Sequence, residues 1–320
     1  MWTHKHLLGL EDLSRDDLLT VLDLARSFKK DGKLLTDRRD TLKGKTVLLL
    51  FFEPSTRTAM SFSAAAKRLS ADVVSFNKAT SSTAKGETLL DTAKNIEAMG
   101  GIDVVVVRHS ATGAPHLLAR SIRASVVNAG DGAHEHPTQG LLDLFTMRER
   151  FGRVEGLKVA IVGDIAHSRV ARSNIHGLRK LGAEVTVCGP ATLLSDDMRS
   201  LGVAVSYDLD AILPTMDVVN MLRLQKERLA GPLLPSDRDY TMRFGLTRER
   251  ADRMKKGAIV MHPGPANRGV EIAPEVADAT LRSSEDASSL RSTSGPRSVI
   301  LEQVANGVAV RQAVLSLVAS

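Results

Sequence analysis

The segment Phe51-Phe52-Glu53-Pro54-Ser55-Thr56-Arg57-Thr58-Ala59-Met60 concentrates more potential chemistry than any other stretch of the 320-residue sequence. An apolar run ends there in hydroxyl side chains and an arginine, and a helical pattern follows. Free N–H groups at a helix start, two or three hydroxyl donors and a guanidinium fork match the oxygens of a phosphate. The plainer reading is a helix capped by Ser55 or Thr56 with Arg57 in solvent, and for the string alone it is the better one. Arg108 closes the run Asp103 to Val107, at the end of a parallel strand where open α/β sheets place their ligands. A surface arginine ending a strand fits that position equally well. His136-Pro137-Thr138-Gln139 follows the turn Gly130-Asp131-Gly132 and enters a helix, so His136 and Gln139 could project together and meet a carbonyl and an amide. A lone histidine at a helix start is more often structural.

These residues need elements to hold them. Ser14 can cap a first helix, with Asp16 and Asp17 in its opening turn. Short β-branched or leucine-rich runs then alternate with helical patterns, the rhythm of parallel α/β sheets. Strands are expected at Thr46 to Phe52, Asp72 to Phe76, Asp103 to Arg108 and Ser125 to Asn128. Between them, Leu89, Ala93 and Ile96 recur at helical spacing within Gly86 to Met99, before Gly100 and Gly101 stop the segment. After a helix over Gly140 to Arg150, further strands are expected at Lys158 to Val162, Glu184 to Cys188, Ala204 to Tyr207, Asp217 to Met221 and Ala258 to His262. A last helix, Val299 to Leu317, is apolar on one side. The serine-rich stretch Thr280 to Pro296 reads as a surface loop.

The length favours two compact units, each with its own core. The fold class expected is α/β, with two doubly wound parallel-sheet domains linked by helices. One domain takes residues 1–140 plus 299–320 and the other 141–298. The net charge of +6 comes from Arg and Lys spread along the chain without a polybasic tract, and aromatics make up only 3%. Both facts weaken a nucleic-acid reading. No apolar run reaches the roughly 18 residues that cross a bilayer, and the N-terminal region carries Asp and Glu in place of a secretory signal, so no membrane association and a cytoplasmic location are expected. The single cysteine, Cys188, reads as a small apolar strand residue.

Together, the three motifs resemble the aspartate and ornithine carbamoyltransferase family, in the family's order and over nearly the whole chain. The resemblance implies that Ser55, Thr56, Arg57 and Thr58 form a phosphate loop, and that Arg108, His136 and Gln139 hold a carbamoyl group. Ser81 through Lys85-Gly86-Glu87-Thr88 resembles the aspartate-specific loop that reaches into a neighbouring subunit's site, with Ser81 and Lys85 as the matching residues. Arg169, in Gly163-Asp164-Ile165-Ala166-His167-Ser168-Arg169, matches an aspartate-binding arginine of the family. Arg223 and Gln225, in Met221-Leu222-Arg223-Leu224-Gln225, match a second arginine and a glutamine. Two guanidinium groups suit a dicarboxylate and have little use in an ornithine site. His262-Pro263-Gly264-Pro265 lacks the cysteine usual in ornithine enzymes. Its Gly264 departs from the common H-P-L-P form, so the carbonyls offered by Gly264 and Pro265 are set differently, and Pro265 is a candidate for the cis form.

The implied activity is transfer of a carbamoyl group from carbamoyl phosphate to L-aspartate, with no metal and no cofactor. Arg57, Thr58, Lys85, Arg108 and His136 are the implied catalytic residues. A homotrimer with shared sites is implied, with a regulatory chain or a dihydroorotase-like protein as a conceivable partner. Transfer to ornithine or another amine is the nearest alternative. A nicotinamide-binding site on Val159-Ala160-Ile161-Val162-Gly163 fails, because Asp164-Ile165-Ala166-His167 lacks the further glycines that let a pyrophosphate approach a helix. An anion- or RNA-binding module rests on net charge alone.

Overall fold

The computed structural model describes residues 2–77, 88–225, 236–279 and 296–319. Ser81, Lys85 and nearly all of the serine-rich stretch lie outside the described residues. The chain divides into two compact units, Met1–Phe145 with Val304–Ser320, and Thr146–Gln303. The division falls at Phe145/Thr146 and Gln303/Val304, where the sequence pattern had put it at 140/141 and 298/299. At both points it lies within an unbroken helix, which leaves no proline, glycine or composition change to mark it.

Unit 1 opens with α1 (Arg15–Arg26), where Ser14 and Asp17 form a reciprocal capping box. The strands β1 (Lys29–Lys30) and β2 (Lys33–Leu34) make a small antiparallel hairpin turned at Asp31 and Gly32, both with positive φ. The sheet follows through β3 (Thr46–Phe51), α2 (Thr56–Arg68), β4 (Asp72–Asn77), α3 (Leu89–Ala98), β5 (Val104–His109), α4 (Ala114–Ala119), β6 (Ser125–Asp131) and α5 (Pro137–Phe151). Its four strands run in the order β4-β3-β5-β6, all parallel. Val47, Leu48, Leu49, Leu50 and Phe51 are buried in succession, as a strand covered on both faces requires. Truncating the fully buried Leu50 to alanine would cost roughly 2–5 kcal/mol.

Helix α5 begins at Pro137, three residues before the expected Gly140. Proline suits that first position because the N–H it lacks would have had no helical partner. The N-terminal segment lies along β6, with Leu7 N donating to Val126 O and Asn128 N to Leu7 O, each at 2.9 Å. Further on, the buried Glu135 carboxylate accepts from Leu10 N at 2.9 and 2.8 Å and from Glu11 N at 3.1 Å.

Unit 2 runs through β7 (Lys158–Val162), α6 (Arg169–Lys180), β8 (Glu184–Cys188), β9 (Ala204–Ser206), α7 (Leu209–Ile212), β10 (Val218–Met221), α8 (Asp237–Phe244), α9 (Arg248–Asp252), β11 (Ile259–Met261), α10 (Pro274–Ala277) and β12 (Arg297–Ser298). The helix α11 (Ile300–Val318) follows. Six parallel strands take the order β12-β11-β10-β7-β8-β9. Ala160, Val162, Val219, Met221, Val260, Tyr240 and Phe244 belong to its core. Cys188 is buried on β8, and burial pushes its thiol up to about 12.

Candidate active site

In unit 1 the site residues lie at the C-terminal ends of three adjacent parallel strands, β3, β5 and β6. Beyond β3, Ser55 takes the position before α2 without making a side-chain cap, and the first turn of α2 holds no acidic residue. The Ser55 hydroxyl instead donates to Thr58 Oγ1 at 2.9 Å. Thr58 is buried, while Thr56 and Arg57 are exposed. An uncapped helix start with two adjoining hydroxyls is an anion-binding arrangement, and the capped-helix alternative for Ser55 does not hold.

Arg108, near the end of β5, is held from two sides. Its guanidinium donates to Ala129 O at 3.1 Å and pairs with Glu53 Oε1 at 2.7 Å. His136 is buried, immediately before α5, and its carbonyl accepts from Gln139 N at 2.9 Å. Gln139 Nε2 donates to the fully buried Asp143 at 2.9 Å. That bond fixes which end of the amide is which: the nitrogen is committed to Asp143, and the oxygen remains as an acceptor.

Behind this network lies Arg311, one turn of α11 beyond Gly307. It donates to Ser61 Oγ on α2 and to Gly307 O, each at 3.0 Å, and stacks on the Phe62 ring 5.1 Å away. Burial pulls its guanidinium down to about 10, partly offset by Asp143, so it stays charged at neutral pH.

Unit 2 repeats the placement on β7, β10 and β11. After β7 the chain turns at Gly163, φ +133°, where an added Cβ would lie 3.1 Å from Leu222 Cβ and 3.2 Å from Tyr240 Oη. Asp164 then accepts from His167 N at 3.2 Å and pairs with His167 Nδ1 at 2.8 Å. Ser168 caps α6, accepting from Ala171 N at 3.1 Å, and Arg169 is buried at the first helical position.

Beyond β10, Leu222 and Leu224 are buried and alternate with the half-buried Arg223 and Gln225. Gln225 Nε2 donates to His167 O at 3.4 Å, which brings the β10 and β7 loops together. After β11, Gly264 N donates to His262 Nδ1 at 2.7 Å, so the ring proton is on Nε2, which faces Glu271 at 3.2 Å. Gly264 has φ +64° and the Gly264–Pro265 bond is cis, as the turn chemistry suggested.

Each unit therefore gathers its own share of the expected residues. Ser55, Thr56, Arg57, Thr58, Arg108, His136 and Gln139 share one strand-end face in unit 1, and Arg169, Arg223, Gln225, Gly264 and Pro265 share another in unit 2. Sequence reading missed Glu53 and Asp143, which hold Arg108 and Gln139, and Arg311, which packs on α2 through Ser61 and Phe62. Asp143 had a legible signal, since it follows Gln139 at i+4 on a helix.

Comparison with known proteins finds the aspartate/ornithine carbamoyltransferase carbamoyl-P binding domain over residues 5–149 and the Asp/Orn binding domain of the same family over 155–318. The aspartate carbamoyltransferase catalytic subunit of Syntrophotalea carbinolica is 54% identical over 317 residues, covering 99% of this chain and 96% of that protein. Aspartate transcarbamoylase from Trypanosoma cruzi, in complex with carbamoyl phosphate and aspartate, superposes with a TM-score of 0.82 at 31% identity, covering 97% of this chain and 95% of that one. Ornithine carbamoyltransferase from Thermus thermophilus gives a TM-score of 0.83 at 26% identity, over 99% of this chain and 100% of that one. Backbone likeness thus does not separate the aspartate from the ornithine branch.

Proposed function

From the premise that this chain belongs to the aspartate/ornithine carbamoyltransferase family, we infer how its residues divide the work of the reaction. The activity is transfer of the carbamoyl group of carbamoyl phosphate to the amino group of L-aspartate, giving N-carbamoyl-L-aspartate and phosphate. We assign unit 1, Met1–Phe145 with Val304–Ser320, to the carbamoyl phosphate side and unit 2, Thr146–Gln303, to the aspartate side.

Ser55, Thr56, Arg57 and Thr58 receive the phosphate, and the uncapped start of α2 supports this reading more than any other observation. Thr58, Arg108 and His136 donate to the carbonyl oxygen, whose negative charge grows as the uncharged amine attacks. The oxygen of Gln139 accepts from the carbamoyl amide. The new C–N bond forms as the C–O bond to phosphate breaks, and the departing phosphate takes the amine proton, so His136 works as a donor and not as a general base. Arg169, Arg223 and Gln225 bind the two carboxylates of aspartate, and the Gly264 and Pro265 carbonyls face substrate N–H groups. Carbamoyl phosphate binds first, completing part of the aspartate site.

Ser81 and Lys85 are supplied by a neighbouring chain, which makes the working unit a homotrimer. A regulatory chain or dihydroorotase-like partner and a cytoplasmic location complete the proposal. No helix among the described residues is long and apolar enough to cross a membrane. The test is to incubate purified protein with carbamoyl phosphate and either aspartate or ornithine and identify the product directly. N-carbamoyl-aspartate is expected, and citrulline would overturn the assignment.

A further inference from the structure

At one edge of unit 1, two imidazoles and a carboxylate converge that the transfer reaction does not use. His116 lies in α4, Asp131 ends β6, and His134 follows in the turn before α5. One ligand atom from each lies within 4.8 Å of the others. His134 Nδ1 is 3.2 and 3.1 Å from the two Asp131 oxygens. The His116 and His134 rings meet edge to face with centroids 5.4 Å apart. His116 Nδ1 is buried and has no hydrogen-bond partner among the described residues. A buried polar nitrogen left this way costs about 1–3 kcal/mol, which coordination through that atom would remove.

Asp131 is prepared to act as an anion. Its oxygens accept from Gly113 N and Asn128 Nδ2, each at 2.8 Å, and from Glu135 N at 3.2 Å. Burial pushes its carboxyl up, but bonds from His134, Gly113 and Asn128 outweigh this and hold it below the usual carboxylate range. Since a carboxylate has about four lone-pair directions, one remains on the side facing His134.

We propose that His116, Asp131 and His134 form a site for a divalent transition-metal ion of the Zn²⁺ type, with a fourth position open to water. Two imidazoles and one carboxylate are a donor set for such ions, whereas Mg²⁺ and Ca²⁺ take all-oxygen sites. Ligand atoms about 2.1 Å from a shared zinc stand roughly 3.4 Å apart in a tetrahedron. The trio therefore has to close by at most about 1.4 Å, within reach of side-chain rotation at the half-buried histidines. A second trio, Glu11, His134 and Glu135, meets the same distance limit. It offers one imidazole, and both Glu135 oxygens are already taken by Leu10 N and Glu11 N. An ion in the His116 site would tie α4 to the turn that leads to His136.

The test is calorimetric titration of untagged, chelator-stripped full-length protein with Zn²⁺, together with Co²⁺ titration followed by visible absorption. One Zn²⁺ per chain, a tetrahedral Co²⁺ spectrum and a raised melting temperature are expected. His116→Ala, and the shape-keeping His116→Gln, should each weaken binding by at least the roughly 10–100-fold that loss of a mere supporting group costs. Both variants should still transfer carbamoyl in chelator. Absence of stoichiometric uptake, or uptake unchanged in both His116 variants, would overturn the site. Loss of uptake in Glu11→Ala, His4→Ala or His6→Ala but not in the His116 variants would overturn it as well.

Discussion

In unit 1 the helix after β3 starts without a side-chain cap, and Ser55 spends its hydroxyl on Thr58. In unit 2 the helix after β7 is capped by Ser168, and the charge at its start is the buried Arg169. Neither helix has an acidic residue in its first turn, unlike α1 and α3. Unit 1 can thus meet an anion with main-chain N–H groups, which suit the clustered oxygens of a phosphate. Unit 2 satisfies part of its helix start internally and offers guanidinium forks, whose geometry suits separate carboxylates. A serine precedes both helices, and what differs is where its hydroxyl goes: to Thr58 in unit 1 and to the helix start in unit 2.

The largest expected effect breaks the unit 1 side. Arg57→Ala should lower kcat/KM on the order of 10²–10³ with circular dichroism unchanged, and near-normal turnover at saturating substrate would refute the phosphate role. Arg223→Ala should raise the aspartate KM roughly 10–100-fold, the equivalent of losing a hydrogen bond to a charged group. An equal loss of carbamoyl phosphate affinity would erase the proposed division of labour. Gly163→Ala should destabilise the protein by about 1–3 kcal/mol in urea unfolding, because a side chain there meets Leu222 and Tyr240 at a positive φ.

The sharpest contrast is also the smallest. Ser168→Ala should cost about 1 kcal/mol of stability as a lost cap, while Ser55→Ala should change stability by less than about 0.5 kcal/mol and act on kcat/KM. Matching stability losses would show that the two serines do the same job.

Much of the frame was legible because parallel strands buried on both faces are apolar without alternation. Lys158 to Val162 and Glu184 to Cys188 were read residue for residue, and most other strands differed only at their ends. The helix expected over Gly140 to Arg150 starts at Pro137, within the motif already read as leading into a helix, and proline is the better first residue. The residues of the site were legible as motifs of the family, each being weak alone. Their supports were not: Arg108 with Glu53, and Arg311 with Ser61, are separated by 55 and 250 positions, and no local pattern announces such pairs. Asp143 behind Gln139 needed only the step from a helical offset to a hydrogen bond.

Glu135 ties the leading end of the chain to the residue beside His136. Trimming through Glu11 would strip the amides of Leu10 and Glu11 from a carboxylate enclosed by protein one residue from His136, at the cost of three hydrogen bonds to a charged group. That turn would then have to rearrange. An extension ahead of Trp2 leaves the anchorage whole, so tags belong in front of the first dozen residues and never in place of them.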